Sequence, residues 1–153
     1  MSSSVGIGYD SHRFGEDRPL IIGGVEIDFD RGLIGHSDAD VLTHAVIDAV
    51  LGAAGLGDIG EVFPDTDPTW KGADSIGLLR TVVGMLRGRI ENIDATVICE
   101  EPKLGPYRGR IARVIGDVTS ARVNVKATTN EGMGWIGRGE GIACMAVASV
   151  EVD

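Results

Sequence analysis

Two hydrophobic periods alternate along this 153-residue chain, and their order limits the folds open to it more than any single motif does. Residues 5–13 read as a strand. Leu20-Ile21-Ile22, the pair Gly23-Gly24 and the run Val25 to Phe29 read as a hairpin, with the glycines at the turn. A helix is expected from an N-cap at Ser37 to about Ala54, its start favoured by acidic Asp40. Leu42, Ala45, Val46, Ala49 and Ala53 form its buried stripe, while Asp40, His44 and Asp48 share another face. Gly55 to Gly72 is a long connection rich in Gly, Pro and Asp, of the kind that more often carries function than not. The helical period returns from Asp74 to about Arg87, carried by Leu78, Leu79, Val82, Val83 and Leu86. It returns again from Tyr107 to Val118, carried by Ile111, Val114 and Ile115. Ala95 to Cys99, ended by Pro102, then Arg122 to Thr128 and Gly141 to Val152 complete the strands. This order predicts an α+β fold, an α/β sandwich with a mixed β-sheet on one side and helices on the other. No repeat, linker or low-complexity stretch interrupts it, so residues 1–153 are expected to form a single domain.

Charge narrows the partners. Fourteen Lys and Arg stand against 23 Asp and Glu, for a net charge of -9, and no basic block is present. Nucleic acid and anionic membrane are therefore excluded as expected partners, and a phosphorylated small molecule would need metals, amides and a few placed cations. The N-terminal residues lack a signal peptide's basic and apolar segments, and no run is long enough to span a bilayer. Cys99 and Cys144 each lie in an apolar run, as reduced core residues of a cytoplasmic protein would.

All three histidines fall within the first 44 positions. Alternate residues of a strand share a side, so Asp10 and His12 can present an oxygen and a nitrogen to one point. His44 on the following helix would complete two histidines and one carboxylate, with Asp40 or Asp48 one turn away to hold its ring. Three such ligands and an open fourth position suit catalytic zinc. From these residues alone, a metal site and an ordinary surface pair remain equally good readings. His36 and Ser37 precede a helix, where free amides and the positive dipole end favour phosphate. Asp58-Ile59-Gly60 and Phe63 to Asp67 read on their own as a loop with Asx turns.

The motifs Asp10-x-His12, His36-Ser37-Asp38-x-Asp40 with His44, Gly57-Asp58-Ile59-Gly60, Phe63-Pro64-Asp65-Thr66-Asp67-Pro68, Pro102-Lys103, Asn124 to Thr129 and Gly137-Arg138-Gly139-Glu140-Gly141 occur in one order. Together they resemble the 2-C-methyl-D-erythritol 2,4-cyclodiphosphate synthases of the non-mevalonate isoprenoid pathway, across nearly the whole chain. That resemblance implies a homotrimeric phosphorus-oxygen lyase. Its substrate would be 4-diphosphocytidyl-2-C-methyl-D-erythritol 2-phosphate, cyclised with loss of CMP at sites between subunits.

The resemblance also implies residue roles. Zinc would sit on Asp10, His12 and His44, and Mg²⁺ or Mn²⁺ on Glu131. His36 and Thr129 would stabilise the transition state, and Ser11 and Ser37 would lie against the substrate. Asp58, Ile59, Gly60, Phe63, Pro64, Asp65, Thr66 and Asp67 would wall the methylerythritol part. Pro102, Lys103 and Leu104, within Cys99 to Gly105, would cup the cytosine, with Thr128 beside the diphosphate. Trp135 and Arg138 would line a central apolar cavity able to take an isoprenoid diphosphate. One departure stands out: Glu100-Glu101 precedes Pro102 where smaller or neutral residues are common. A metal-dependent phosphohydrolase of another fold and a non-catalytic isoprenoid diphosphate sensor are the alternatives, and neither accounts for the ordered motifs.

Overall fold

A computed structural model describes residues 2–152. Its main sheet contains β1 (Ser2–Gly15), β4 (Gly32–Ile34), β5 (Ile90–Ile98), β6 (Arg122–Thr128) and β7 (Gly141–Val152), in the order β4-β1-β7-β5-β6. Only β5 and β6 run parallel; the other neighbours are antiparallel, so the sheet is mixed as expected. β2 (Leu20–Ile22) and β3 (Val25–Ile27) form the separate hairpin. The helices α1 (Val41–Ala54), α3 (Ser75–Met85) and α4 (Arg108–Thr119) cover one face. Short α2 (Ile59–Val62) and a 3₁₀ turn at Pro68–Trp70 order the long connection, and α5 (Gly134–Gly137) precedes β7.

Strand β1 decides where the chemistry can sit. Its inward residues are Gly6, Gly8, Asp10 and His12; its outward residues Val5, Ile7 and Tyr9 are 68%, 65% and 52% exposed. A Cβ at Gly6 would lie 2.0 Å from the Ala49 carbonyl oxygen, and one at Gly8 1.9 Å from that of Ala45. Only glycine lets helix backbone come so close to strand backbone. Ala45, Ala49 and Ala53 supply the matching small residues on α1, and all three are buried. The close approach of α1 brings its first turn, with His44, over the end of the Gly6–His12 row.

Helix α1 starts later than its sequence suggests. Asp40, not Ser37, is the N-cap and accepts from the Thr43 amide. Ala39 has φ +59°, a left-handed conformation that stops the helix extending back to Ser37. Strand β5 also begins earlier, at Ile90, because the polar residues Glu91, Asn92 and Asp94 occupy partly exposed positions and mask its apolar alternation. Both cysteines are free and buried, and burial pushes the Cys99 thiol up to about 11. Among the described residues, no helix is long and apolar enough to cross a membrane.

Candidate active site

Asp10, His12 and His44 meet between β1 and the first turn of α1, each partly buried. His12 Nε2 lies 2.8 Å from Asp10 Oδ2 and 3.4 Å from His44 Nδ1, and the third edge, His44 Nδ1 to Asp10 Oδ2, is 3.2 Å. Bond lengths near 2.1 Å place neighbouring ligands of a tetrahedral zinc roughly 3.4 Å apart. The three observed edges fit such an ion at the common point.

The ring nitrogens facing away show how the lone pairs are aimed. His12 Nδ1 is 3.0 Å from the Ile34 carbonyl oxygen, which can only accept. The proton of a neutral His12 therefore belongs on Nδ1, leaving the Nε2 lone pair directed at the cluster. His44 Nε2 lies 2.8 Å from Ser75 Oγ and 3.0 Å from Ser37 Oγ. Ser75 donates its hydroxyl proton to the Asp38 carboxylate, so its oxygen accepts from His44 Nε2–H. The His44 Nδ1 lone pair is thereby turned to the same point. Two imidazole lone pairs and a carboxylate oxygen at this separation need a cation between them, whether proton or metal.

Charge states agree with that arrangement. Burial pushes Asp10 up, but hydrogen bonds from His12 and His44 outweigh it and hold the carboxyl below its usual range. Burial pushes His12 down, but the hydrogen bond and charge of Asp10 more than offset this and leave it raised.

Neither proposed orienting carboxylate touches the His44 ring. Asp40, wholly buried, spends both oxygens on the amides of Gly23, Gly24 and Thr43 and on the Thr43 hydroxyl. It fastens the β2–β3 turn to α1, and burial raises its pKa despite those bonds. Asp48 accepts from the Ile59 amide at 2.8 Å and anchors the wall loop to α1. The orienting group is instead the Ser75–Asp38 pair. Asp38 also accepts the Ser75 amide at 3.0 Å, at the start of α3. Sequence reading missed Ser75, which lies 31 residues from His44 and carries no local signal.

A cleft of about 370 Å³ opens beside the triad. His12, His36, Ser37 and His44 form its polar end, while Ile59, Gly60, Phe63, Pro64, Asp65, Trp70 and Leu78 complete it. Trp70, also unforeseen, packs edge-on against Phe63 with ring centroids 4.9 Å apart. The remaining wall residues do not line the cleft. Asp58 caps α2 through the Glu61 amide, Asp67 caps the 3₁₀ turn through the Thr69 amide, and Thr66 stands exposed between them. His36 Nε2 is 3.4 Å from the Asp67 carbonyl oxygen, which ties it to this wall.

A second cleft, of about 400 Å³, lies where β5 and β6 end. Pro102, Lys103, Leu104, Thr128 and Thr129 line it, together with Glu100. It shares no lining residue with the first. Paired positions run from Ser11 through Ala143 and Ile98 to Thr128. Three inter-strand steps separate the ends of that row by roughly 14 Å. Glu131 stands exposed beyond β6, outside the one group of potential metal ligands among the described residues. Trp135 lines a groove of about 230 Å³ with Ser11, His12, Arg13 and Glu140, while Arg138 Nε donates to Glu140 at 2.7 Å. Within one chain that groove is edged by the charged groups Arg13 and Glu140.

Comparison with known proteins accords with this geometry. Residues 3–151 match the YgbB family. A 2-C-methyl-D-erythritol 2,4-cyclodiphosphate synthase from Symbiobacterium thermophilum is 59% identical over 153 residues, covering 95% of this chain and 97% of that protein. The bifunctional IspDF from Campylobacter jejuni superposes with a TM-score of 0.95 at 43% identity, covering 99% of this chain and 43% of that one. IspF from Plasmodium falciparum, in a CDP complex, gives a TM-score of 0.84 at 32% identity, over 97% of this chain and 96% of that one. The match takes in the triad and both clefts, and the chain belongs to the YgbB family of 2-C-methyl-D-erythritol 2,4-cyclodiphosphate synthases.

Proposed function

We propose that the chain closes the ring of 2-C-methyl-D-erythritol 2,4-cyclodiphosphate. The 2-phosphate of 4-diphosphocytidyl-2-C-methyl-D-erythritol 2-phosphate attacks its own β-phosphorus. The bond from that phosphorus to the α–β bridging oxygen breaks, and CMP leaves with the oxygen and its electron pair. The observation that carries this reading is the Asp10–His12–His44 triad opening onto its cleft, in a chain so similar to named synthases.

The nucleophile is already an anion at neutral pH, so no strong general base is required. Catalysis then reduces to folding the substrate and neutralising charge. The 370 Å³ cleft takes the methylerythritol part, with Ile59, Gly60, Phe63, Pro64 and Asp65 as its wall. His36 and Ser37 face the attacked phosphate at the polar end. The second cleft takes the cytidine between the segment around Lys103 and the end of β6. Thr129 Oγ1 accepts the Glu131 amide at 3.1 Å, which leaves its hydroxyl proton for a phosphate oxygen. When bound, zinc on Asp10, His12 and His44 supplies Lewis acidity toward a phosphate oxygen. Glu131 would offer a carboxylate oxygen to a Mg²⁺ or Mn²⁺ ion, which would supply positive charge against the diphosphate.

A complete site is shared between copies in a homotrimer. Two features of one chain support this: the roughly 14 Å row between Ser11 and Thr128, and the exposed apolar stripe of Val5, Ile7, Tyr9, Met145 and Val147 on the sheet face away from the helices. In such an assembly Trp135 and Arg138 face the axis and receive an isoprenoid diphosphate. The protein acts in the cytoplasm, in keeping with its free, buried thiols.

Chromatography of the reaction mixture tests the activity. One CMP and one cyclic diphosphate per substrate consumed support ring closure, whereas inorganic phosphate or a linear bisphosphate contradicts it. Mixing two inactive variants, His44→Ala and Thr129→Ala, tests the shared site. Activity regained after subunit exchange places the two residues in one site from different chains; no recovery argues for a site within one chain.

A further inference from the structure

Glu100, the residue at which this chain departs from the expected pattern, points its carboxylate into the turn that follows β6. Its Oε2 accepts from the Asn130 amide at 2.7 Å and its Oε1 from the Gly132 amide at 3.1 Å. These amides flank Glu131, whose own N–H goes to Thr129 Oγ1 at 3.1 Å. Met133 N–H bonds the Asn130 carbonyl at 3.0 Å, and Asn130 Nδ2 returns to the Met133 carbonyl at 2.9 Å. Every amide from residue 130 to 133 is thus engaged. Glu131 and Gly132 are both left-handed, with φ +53° and +74°. A non-glycine residue holds that conformation when its surroundings fix it. Alternate amides converging on one anion form a nest of the kind that binds phosphate. Here the protein's own carboxylate fills it.

We propose that Glu100 is a positioning residue that locks Thr129 and Glu131 in place and couples the cytidine cleft to the diphosphate loop. Glu100 itself lines the cleft with Lys103 and Thr129, so one side chain touches both parts of the site. Because the nest is occupied from within, loop amides take no part in binding the diphosphate. Its charge would fall to the Thr129 hydroxyl and to a cation that Glu131 would hold. The proposal rests on the roles given above to those two residues.

Three variants test it: Glu100→Ala, Glu100→Gln and, as a control, Glu131→Gln. Amide exchange measured by NMR on the folded protein reads the loop directly. In Glu100→Ala, exchange at Asn130 and Gly132 speeds up at least about tenfold, the scale of a lost charge-assisted hydrogen bond. The Glu131 amide, held by Thr129, changes less, which separates local release from general destabilisation. Half-saturating Mg²⁺ rises and kcat falls on the order of tenfold to a hundredfold, with bound zinc unchanged. Glu100→Gln falls between, because a carboxamide oxygen can accept from one amide while its NH₂ cannot accept from the other. Unchanged exchange at Asn130 and Gly132 in Glu100→Ala overturns the proposal, as does faster exchange with parental Mg²⁺ dependence and kcat. If Glu131→Gln raises the Mg²⁺ requirement and Glu100→Ala does not, this proposal alone fails. If Glu131→Gln leaves the requirement unchanged, the role of Glu131 fails and this proposal with it.

Discussion

Replacing Ser75 by alanine should weaken zinc binding without touching any atom that would bind the ion. Ser75 is wholly buried, and its oxygen is the 2.8 Å acceptor of His44 Nε2–H while its proton is held by Asp38. Alanine removes the acceptor and one donor to Asp38, but leaves the residue 75 amide on that carboxylate. Outer partners of metal-bound histidines are typically worth 10–100-fold in affinity. Ser37 Oγ, 3.0 Å from the same nitrogen, can take over part of the role. The single variant should therefore lie near the lower bound, about tenfold, or about 1.4 kcal/mol. The double variant Ser37→Ala/Ser75→Ala should approach about a hundredfold, or about 2.7 kcal/mol. Competition with a chromophoric chelator measures the affinity, and thermal unfolding of the metal-free protein checks that the fold survives. Zinc affinity within about twofold of the parent in the double variant would refute the orienting role.

Three further outcomes are expected. Gly8→Ala drives a Cβ to 1.9 Å from the Ala45 carbonyl, so α1 must move away from β1. We expect a loss of about 3 kcal/mol in stability and weakened zinc binding together; parental values for both in chemical unfolding and metal titration would contradict the account of β1. Glu131→Gln should raise the Mg²⁺ concentration needed for half-maximal turnover while zinc content stays intact, as measured by kinetics and metal analysis. Zinc affinity should also rise with pH. His12 is held above its ordinary 6.5, mainly by Asp10 working against burial, so at and below that pH a proton competes for the metal position. Affinity should climb through pH 6.5 and level off only above the raised value, whereas a curve already flat at pH 6.5 would count against it. Metal-free protein should show the opposite trend, because the stabilisation from protonated His12 is full below 6.5 and is lost as pH passes its folded value.

The sheet and the helices are legible because each rests on local periodicity. The residues alone leave Asp10, His12 and His44 open between a metal site and a surface pair, and the triad comes from the family resemblance. Asp10 and His12 are two residues apart on a strand, and His44 sits in the first turn of a helix whose buried stripe is plain. Groups that act over long separations were hidden. Ser75 serves His44 from the start of another helix, 31 residues away, and nothing in its immediate neighbours marks it. Asp38 stands in a quoted motif whose partner, Ser75, the motif does not name. Trp70 reads as a lone aromatic in a polar connection until its packing on Phe63 is seen. By residue type Ser37 is a good N-cap, yet Asp40 caps α1. The left-handed Ala39 overrides that preference, and the buried Asp40 also has the Gly23–Gly24 turn to hold. Strand order was equally out of reach, because β7, last in the chain, inserts between β1 and β5.

Phosphorus NMR of the protein with zinc, Mg²⁺ and 4-diphosphocytidyl-2-C-methyl-D-erythritol 2-phosphate tests ring closure most directly. Two mutually coupled cyclic-diphosphate signals, growing with one equivalent of CMP, are the predicted result. Inorganic phosphate or a linear phosphate product would contradict it, and so would an unchanged substrate spectrum with zinc bound.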